Sequence, residues 1–368
     1  MSFWPPSWTS IDRKILDMAL PNIVSNMSTP LIGLVDTFVA GHLGSTEELA
    51  GIAVGVSAFY LLYNVFVFLR KGTTGLTAQA RGAGDFVEVR ASFARPFLFA
   101  LLTGALITAF SGRIMEAIFL WIEPPDEGTR AAARAYIAAR VLGAPFALAN
   151  YAVQGWLNGM QRSANVLVQN MILNVSNAAL CVLLALDLGG WGMGLGVVGI
   201  GYAAALANAI AMAAGLVNVA SCVNGGLLGG GRPMAGRWSW AALWDASAVV
   251  DFLTLGSTIT IRSLLLTLMQ TYFTGNAASF GSTTLAADQL LLQLQSLVSS
   301  GTDGFSNAAE ALVGEVRQAG RQAGRQSVSQ LVSQSVSHSV TQSISHSVTQ
   351  SSQVRQPNNN KNNKNRVV

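Results

Sequence analysis

The sequence predicts an all-α integral membrane protein, and three observations carry that reading. Of the 368 residues, 51% are hydrophobic and only 11% are charged, against about a quarter charged in soluble domains. Eight stretches approach the ~20 mostly apolar residues that a spanning helix needs. Lys and Arg gather in alternate connections between those stretches, as they do in chains that cross a membrane repeatedly. The net charge of +4 and the pI near 9.3 are spread over these connections and form no continuous patch, so the charge reads as topology and not as nucleic-acid binding.

The eight stretches are taken in chain order as Ile15 to Ala40, Leu49 to Leu69, Phe93 to Ser111, Tyr136 to Leu157, Asn165 to Leu188, Gly194 to Val219, Phe252 to Phe273 and Thr284 to Val298. Trp4 and Trp8 precede the first and fit an interfacial anchor. The N-terminus has no basic region followed by a small-residue cleavage site, so no signal peptide is expected. Arg13 and Lys14, then Arg70, Lys71, Arg81, Arg90 and Arg95, then Arg162, then Arg232 and Arg237, then Arg317 mark one side, which places the N-terminus in the cytoplasm. The loop Gly112 to Ala135, with Arg113, Arg130 and Arg134, departs from that alternation. Cys181 and Cys222 lie in apolar helices with neither metal-ligand nor disulfide spacing and read as packing residues.

An internal repeat organises the order of these helices. Leu34 to Gly41 (LVDTFVAG) matches Leu268 to Gly275 (LMQTYFTG), and Gly72 to Ala80 (GTTGLTAQA) matches Gly301 to Ala309 (GTDGFSNAA). Six helices therefore make one unit and helices seven and eight begin a second, the layout of carriers whose lobes rock about a central site. The expected division is a six-helix lobe over 1–220, a cytoplasmic linker over 221–247 containing GGLLGGGRP, a partial second lobe over 248–316, and a tail over 317–368. The second copy reads as truncated after the eighth helix. The tail, a Ser/Val/Gln repeat and then an Asn/Lys run, is expected to be disordered because it cannot bury a core.

Asp36 stands out as an acid inside an apolar run, where a charge costs at least a few kcal/mol unless it faces a cavity or partner. Protonation or cation binding there would bias two lobe conformations, so Asp36 is the candidate coupling residue. Asn170, Asn174 and Asn177 share one face of the fifth helix and are candidates for the substrate or ion pathway, with helix packing as the competing role. Arg140 and Arg262 are intramembrane cations that need partners; pairing of Arg140 with Asp36 is one option, and Arg140 is also a candidate for the substrate or ion pathway. Phe59, Tyr60, Tyr63 and Phe66 recur at helical spacing; facing an organic substrate is one role, with Tyr63 the pathway candidate, and lipid contact or helix packing is the commoner competing one. Pro21, Pro30 and Pro145 are expected to interrupt helices. Gly72-Thr-Thr-Gly75 reads as a turn, and with no GxxxxGK[ST] sequence present it is not a nucleotide site. No metal site and no nucleophile-base pair is evident, so catalysis is not expected.

Leu20-Pro21, Gly33-Leu-Val-Asp36, Gly41-His-Leu-Gly44 and Gly72-Thr-Thr-Gly75 resemble the first two helices of the multidrug and toxic compound extrusion (MATE) family, DinF-like branch. Gly143-Ala-Pro145 with Asn150, Gly155, Leu157, Gly159 and Gln161 is similar to that family's fourth helix and its exit, and the resemblance runs from about Ile15 to Val316. It implies twelve helices in two lobes and exchange of H+ or Na+ for organic substrates. In the resembling family an acid is common on the fifth helix, near the place where Asn177 and Ala178 stand here.

The resulting expectation is a multi-pass protein of the plasma or inner membrane that exports amphipathic organic compounds in exchange for H+ or Na+. It would have the lipid bilayer and a small organic substrate as partners and no cofactor. Two other readings stay open: a non-transporting membrane fragment or interaction partner, and a flippase for a lipid-linked precursor.

Overall fold

A computed structural model of the chain describes residues 10–28, 31–43, 45–121, 126–187, 192–225, 239–279, 291, 295, 298–316 and 320. All regular structure among them is helical: α1 (Ser10–Ser28), α2 (Leu31–Gly41), α3 (Thr46–Asn64), α4 (Val67–Gly82), α5 (Phe86–Ala109), α6 (Ser111–Trp121), α7 (Glu127–Arg140), a 3-10 turn (Val141–Gly143), α8 (Ala144–Gly159), α9 (Ser163–Ala185), α10 (Gly196–Asn224), α11 (Trp240–Leu243) and α12 (Ala246–Ser279). A further helix, α13, covers 298–316. Contacts divide the chain into units Met1–Gln318 and Ala319–Val368. The expected tail, apart from Gly320, and the linker core lie outside the described residues, as does most of the eighth apolar stretch.

Six helical segments among the described residues are long and apolar enough to cross a membrane: Asp12–Gly41, Thr46–Gly82, Phe86–Ala109, Ser163–Ala185, Gly196–Asn224 and Ala246–Met269. The fourth expected stretch, Tyr136 to Leu157, is instead divided among the end of α7, the 3-10 turn and α8, and Arg140 falls in its first half. The expected loop Gly112 to Ala135 is largely helical, as α6 and the start of α7. Asp126 opens α7 as its N-cap, its carboxylate accepting from the Thr129 backbone N–H at 2.7 Å and from the Thr129 hydroxyl at 2.9 Å. Those bonds hold Asp126 below the usual carboxylate range.

Two sequence expectations are corrected here. Pro21 lies inside a continuous α1, and Pro145 sits in the first turn of α8, where a missing N–H costs nothing; Pro30 is outside the described residues. The presumed turn Gly72 to Gly75 is buried helix within α4. Gly and Thr serve close packing there. The Thr74 hydroxyl lies 3.0 Å from the Arg70 carbonyl and 3.1 Å from the Gly155 carbonyl, and Gly155 and Gly159 of α8 press directly on α4. Small residues are what lets membrane helices approach this closely.

The same device joins α3 to α7. A Cβ on Gly51 would stand 2.5 Å from that of Ala132, and one on Gly55 would enter the Tyr136 ring. Around this contact gather buried Ile52, Ala58, Phe59, Ala133, Ile137, Ala203 and Ile200. Helix α13, the repeat partner of α4, packs by Ala308 and Ala311 on Met18 and Ala19 of α1. Its Asp303 pairs with Lys71 at 3.5 Å, and Glu315 meets Lys14 at 3.6 Å, Arg81 at 3.8 Å and the Gln161 amide. Gly82 leaves no room for a side chain against the Glu315 backbone.

Candidate functional site

Three helices each bring an i, i+4 pair to one point inside the first bundle: Phe59 and Tyr63 from α3, Tyr136 and Arg140 from α7, and Asn177 and Cys181 from α9, around Asp36 of a fourth helix, α2. Residues four apart on a helix face the same way. Asp36 is completely buried, and its carboxylate accepts on both oxygens. Oδ2 takes the Tyr136 hydroxyl at 2.9 Å and Arg140 Nη1 at 2.9 Å; Oδ1 takes Asn177 Nδ2 at 3.0 Å and the Cys181 thiol at 3.6 Å.

Arg140 is 13% exposed and is itself cradled by aromatics. Its guanidinium carbon stands 5.0 Å from the Phe59 ring centre and 5.4 Å from that of Tyr136, and it also donates to the Tyr136 hydroxyl. Cation–π contact of a desolvated Arg contributes about 2 kcal/mol. Such a pair is neutral as a whole, which is what makes two charges tolerable away from water. It also constrains the chemistry: a proton or cation added to Asp36 leaves Arg140 uncompensated, so Arg140 must move to another acceptor or to water.

Of the expected site residues, Asp36, Arg140 and Asn177 are brought together. Tyr63 stacks on Phe59 at 5.4 Å between ring centres and lies behind Arg140, without a hydrogen bond to Asp36 among those described. Asn170 and Asn174 share Asn177's face but serve other partners. Asn170 Nδ2 donates to the Ser25 hydroxyl and its Oδ1 accepts from Gln154 at 2.9 Å; Asn174 Nδ2 donates to the Ser28 carbonyl at 3.2 Å. Arg262 is exposed on α12 with no ion pair among the described residues. The side chain of Gln270 and all of Asp288 lie outside the described residues. Tyr136 and Cys181 were not anticipated, although each stands one helical turn from a residue that was. No group of three or more His, Cys, Asp or Glu poised to hold a metal occurs among the described residues.

The fold and this charge-paired site define a polytopic α-helical membrane protein. Comparison with known proteins sharpens the class. Residues 21–183 match the MatE family model. The chain is 35% identical over 308 residues to DNA damage-inducible protein F of Escherichia coli (strain K12), covering 83% of this chain and 64% of that protein. It is 28% identical over 336 residues to Protein DETOXIFICATION 44, chloroplastic, of Arabidopsis thaliana, covering 85% and 60%. A probable multidrug resistance protein NorM of Neisseria meningitidis serogroup B is 28% identical over 203 residues, covering 53% and 43%. Among solved structures, the MATE transporter VcmN of Vibrio cholerae in its bent form superposes with a TM-score of 0.72 at 17% identity, over 88% of this chain and 69% of that one. A MOP superfamily transporter from Pyrococcus furiosus gives 0.68 at 18%, over 83% and 65%. The chain carries a MatE match over residues 21–183 and is similar to DinF-like members of the MATE family, and it spans less than two thirds of the length of these curated relatives.

Proposed function

We propose that the chain acts in cation-coupled antiport, using an inward H+ or Na+ gradient to export amphipathic organic compounds, with its N-terminus on the cytoplasmic side of a plasma or inner membrane. The observation that carries this reading is the fully buried Asp36, held between Arg140, Tyr136 and Asn177 from two other helices. A carboxylate in that position changes the helix–helix interaction when it binds a proton or cation, and a two-state carrier needs such a differential interaction. Lys14 of α1 and Arg81 of α4 both meet Glu315, so basic residues of two helices gather at one face, which supports the orientation. The substrate class follows the naming of the relatives as multidrug resistance proteins and the apolar, aromatic lining of the bundle.

The test is efflux of a fluorescent organic cation from liposomes holding the full chain, under an imposed proton or sodium gradient. Gradient-driven efflux that Asp36→Asn abolishes, with insertion unchanged, supports antiport through this residue. Efflux unchanged in Asp36→Asn sinks the coupling role. No efflux by the unmodified chain would favour a role as a membrane-inserted interaction partner.

A further inference from the structure

Helices α1 and α9 face each other through polar side chains at nearly every turn. Asn22 Nδ2 donates to the Ser163 hydroxyl at 3.0 Å, and Ser163 in turn donates to Asn158 Oδ1 at 3.1 Å. One turn on, Ser25 meets Asn170, and beyond it the Ser28 carbonyl meets Asn174. Asn177, three residues further, reaches Asp36. At the other end, Ser163 lines a cleft of about 220 Å3 together with Lys14, Asp17, Gln161, Arg162 and Asn165. From Ser163 to Asn177 the run is about 21 Å along α9 at 1.5 Å per residue.

Polar residues between membrane helices commonly act as packing glue. Glue accounts for the paired groups. It does not account for the amide oxygens of Asn174 and Asn177, which are both buried and have no protein hydrogen-bond partner. A buried acceptor left unsatisfied costs about 1–3 kcal/mol, and a hydrocarbon side chain at either position would avoid that cost. Two such oxygens within one turn, on the face that leads from a polar cleft to a buried carboxylate, are a place where water pays its way.

We propose that the α1–α9 seam is a water-bearing path joining Asp36 to the cleft at Lys14 and Arg162, so that a proton or hydrated cation exchanging at Asp36 reaches that face within the first bundle. The titratable or charged groups that meet Asp36 are Tyr136 and Arg140 of α7 and Cys181 of α9. None of them belongs to α1, so the seam approaches the carboxylate on its uncharged side. The use of the path by the coupling ion rests on the antiport reading; its hydration does not.

The experiment is radiolytic hydroxyl-radical labelling of the full chain in liposomes, read by mass spectrometry at Cys181, which is fully buried yet touches Asp36. Labelling of Cys181 is expected in the unmodified chain and is expected to fall roughly tenfold in Asn174→Leu, which plugs the seam at an otherwise hydrated site. An unlabelled Cys181, or labelling unchanged by the plug, overturns the proposal. A second measurement guards against misfolding of that variant. Ser25→Cys should react with a charged methanethiosulfonate added on the side where an impermeant amine reagent modifies Lys14, and faster than Val168→Cys, whose parent residue is exposed. Reaction no faster than at Val168→Cys, or only from the opposite side, overturns it as well. Neither readout requires transport, so a dry seam and a failed antiport reading are distinguishable.

Discussion

Arg140 and Asp36, 104 positions apart in sequence, meet at 2.9 Å with the carboxylate fully buried and the guanidinium packed between Phe59 and Tyr136. The pair ties α7 to α2 inside the bundle. Each charge is acceptable there only while the other is present.

Removing one partner should therefore cost far more than removing both. Arg140→Leu is expected to destabilise the protein by about 3–5 kcal/mol, whereas Asp36→Asn combined with Arg140→Leu recovers most of that loss. Thermal unfolding of the purified variants checks this. Additive losses in the double variant would mean that the two side chains do not depend on one another.

The contact between α3 and α7 depends on the absence of a side chain at position 55, where a Cβ would enter the Tyr136 ring. Gly55→Val is expected to cost about 1–3 kcal/mol through overpacking. It should also shift Tyr136 away from Asp36 and so reduce efflux, while Gly41→Val, where nothing lies within 4 Å, should leave stability unchanged. Unfolding temperatures and efflux of the two variants side by side decide the point.

Helix α13 lies against α4 so closely that a Cβ on Gly314 would stand 3.0 Å from that of Ala78. Ala78→Cys with Gly314→Cys should form a disulfide on mild oxidation, once the helices part by about 0.5 Å to reach the ~3.5–4.5 Å between bridged Cβ atoms. The bridge would lock the two repeat-related helices together. Efflux is expected to stop on oxidation and return on reduction; absence of the crosslink on a gel would show that the helices do not rest in this arrangement.

Glu310, on α13 outside the six apolar spans, has its Oε1 against the place where Gly75 lacks a side chain. Burial pushes its carboxyl up to about 7, against the opposing pull of Lys71 and Arg70. The folded form thus holds its proton more tightly than the unfolded chain. The resulting stability is complete below the ordinary carboxylate value and is lost as pH rises through about 7. Thermal stability is expected to fall across that window in the parent chain and to be flatter in Glu310→Gln. An unchanged slope in the variant would assign the pH dependence to another group.

Much of the fold was legible because its signals are local. Helix spans follow from apolar runs, and the placement of Asn170, Asn174 and Asn177 on one face follows from the helical period. Where local composition and packing compete, the reading failed. Gly72 to Gly75 has the residues of a turn, yet Gly155 and Gly159 of α8 press against α4 there and the Thr74 hydroxyl reaches main-chain carbonyls, so the segment is buried helix. Likewise Pro145 was expected to break a helix and instead opens one.

The site divides in the same way. Asp36 and Arg140 declare themselves because a charge within an apolar run has an energetic cost that must be met somewhere. That argument identifies the charges but not their partners, since it contains no distance. Tyr136 and Cys181 are ordinary residues of apolar helices and carry no such mark. They become part of the site only because α7 and α9 cross α2 at one level, a placement set by glycine contacts such as Gly55 on Tyr136 and Gly201 on Ala139. The sequence by itself determined a helical membrane protein of a recognisable family with one buried acid to explain. Only the tertiary structure decided that this acid is already neutralised by Arg140 and that a polar seam leads away from it, because pairing energies depend on interatomic distance and the groups concerned lie about a hundred residues or more apart in the chain.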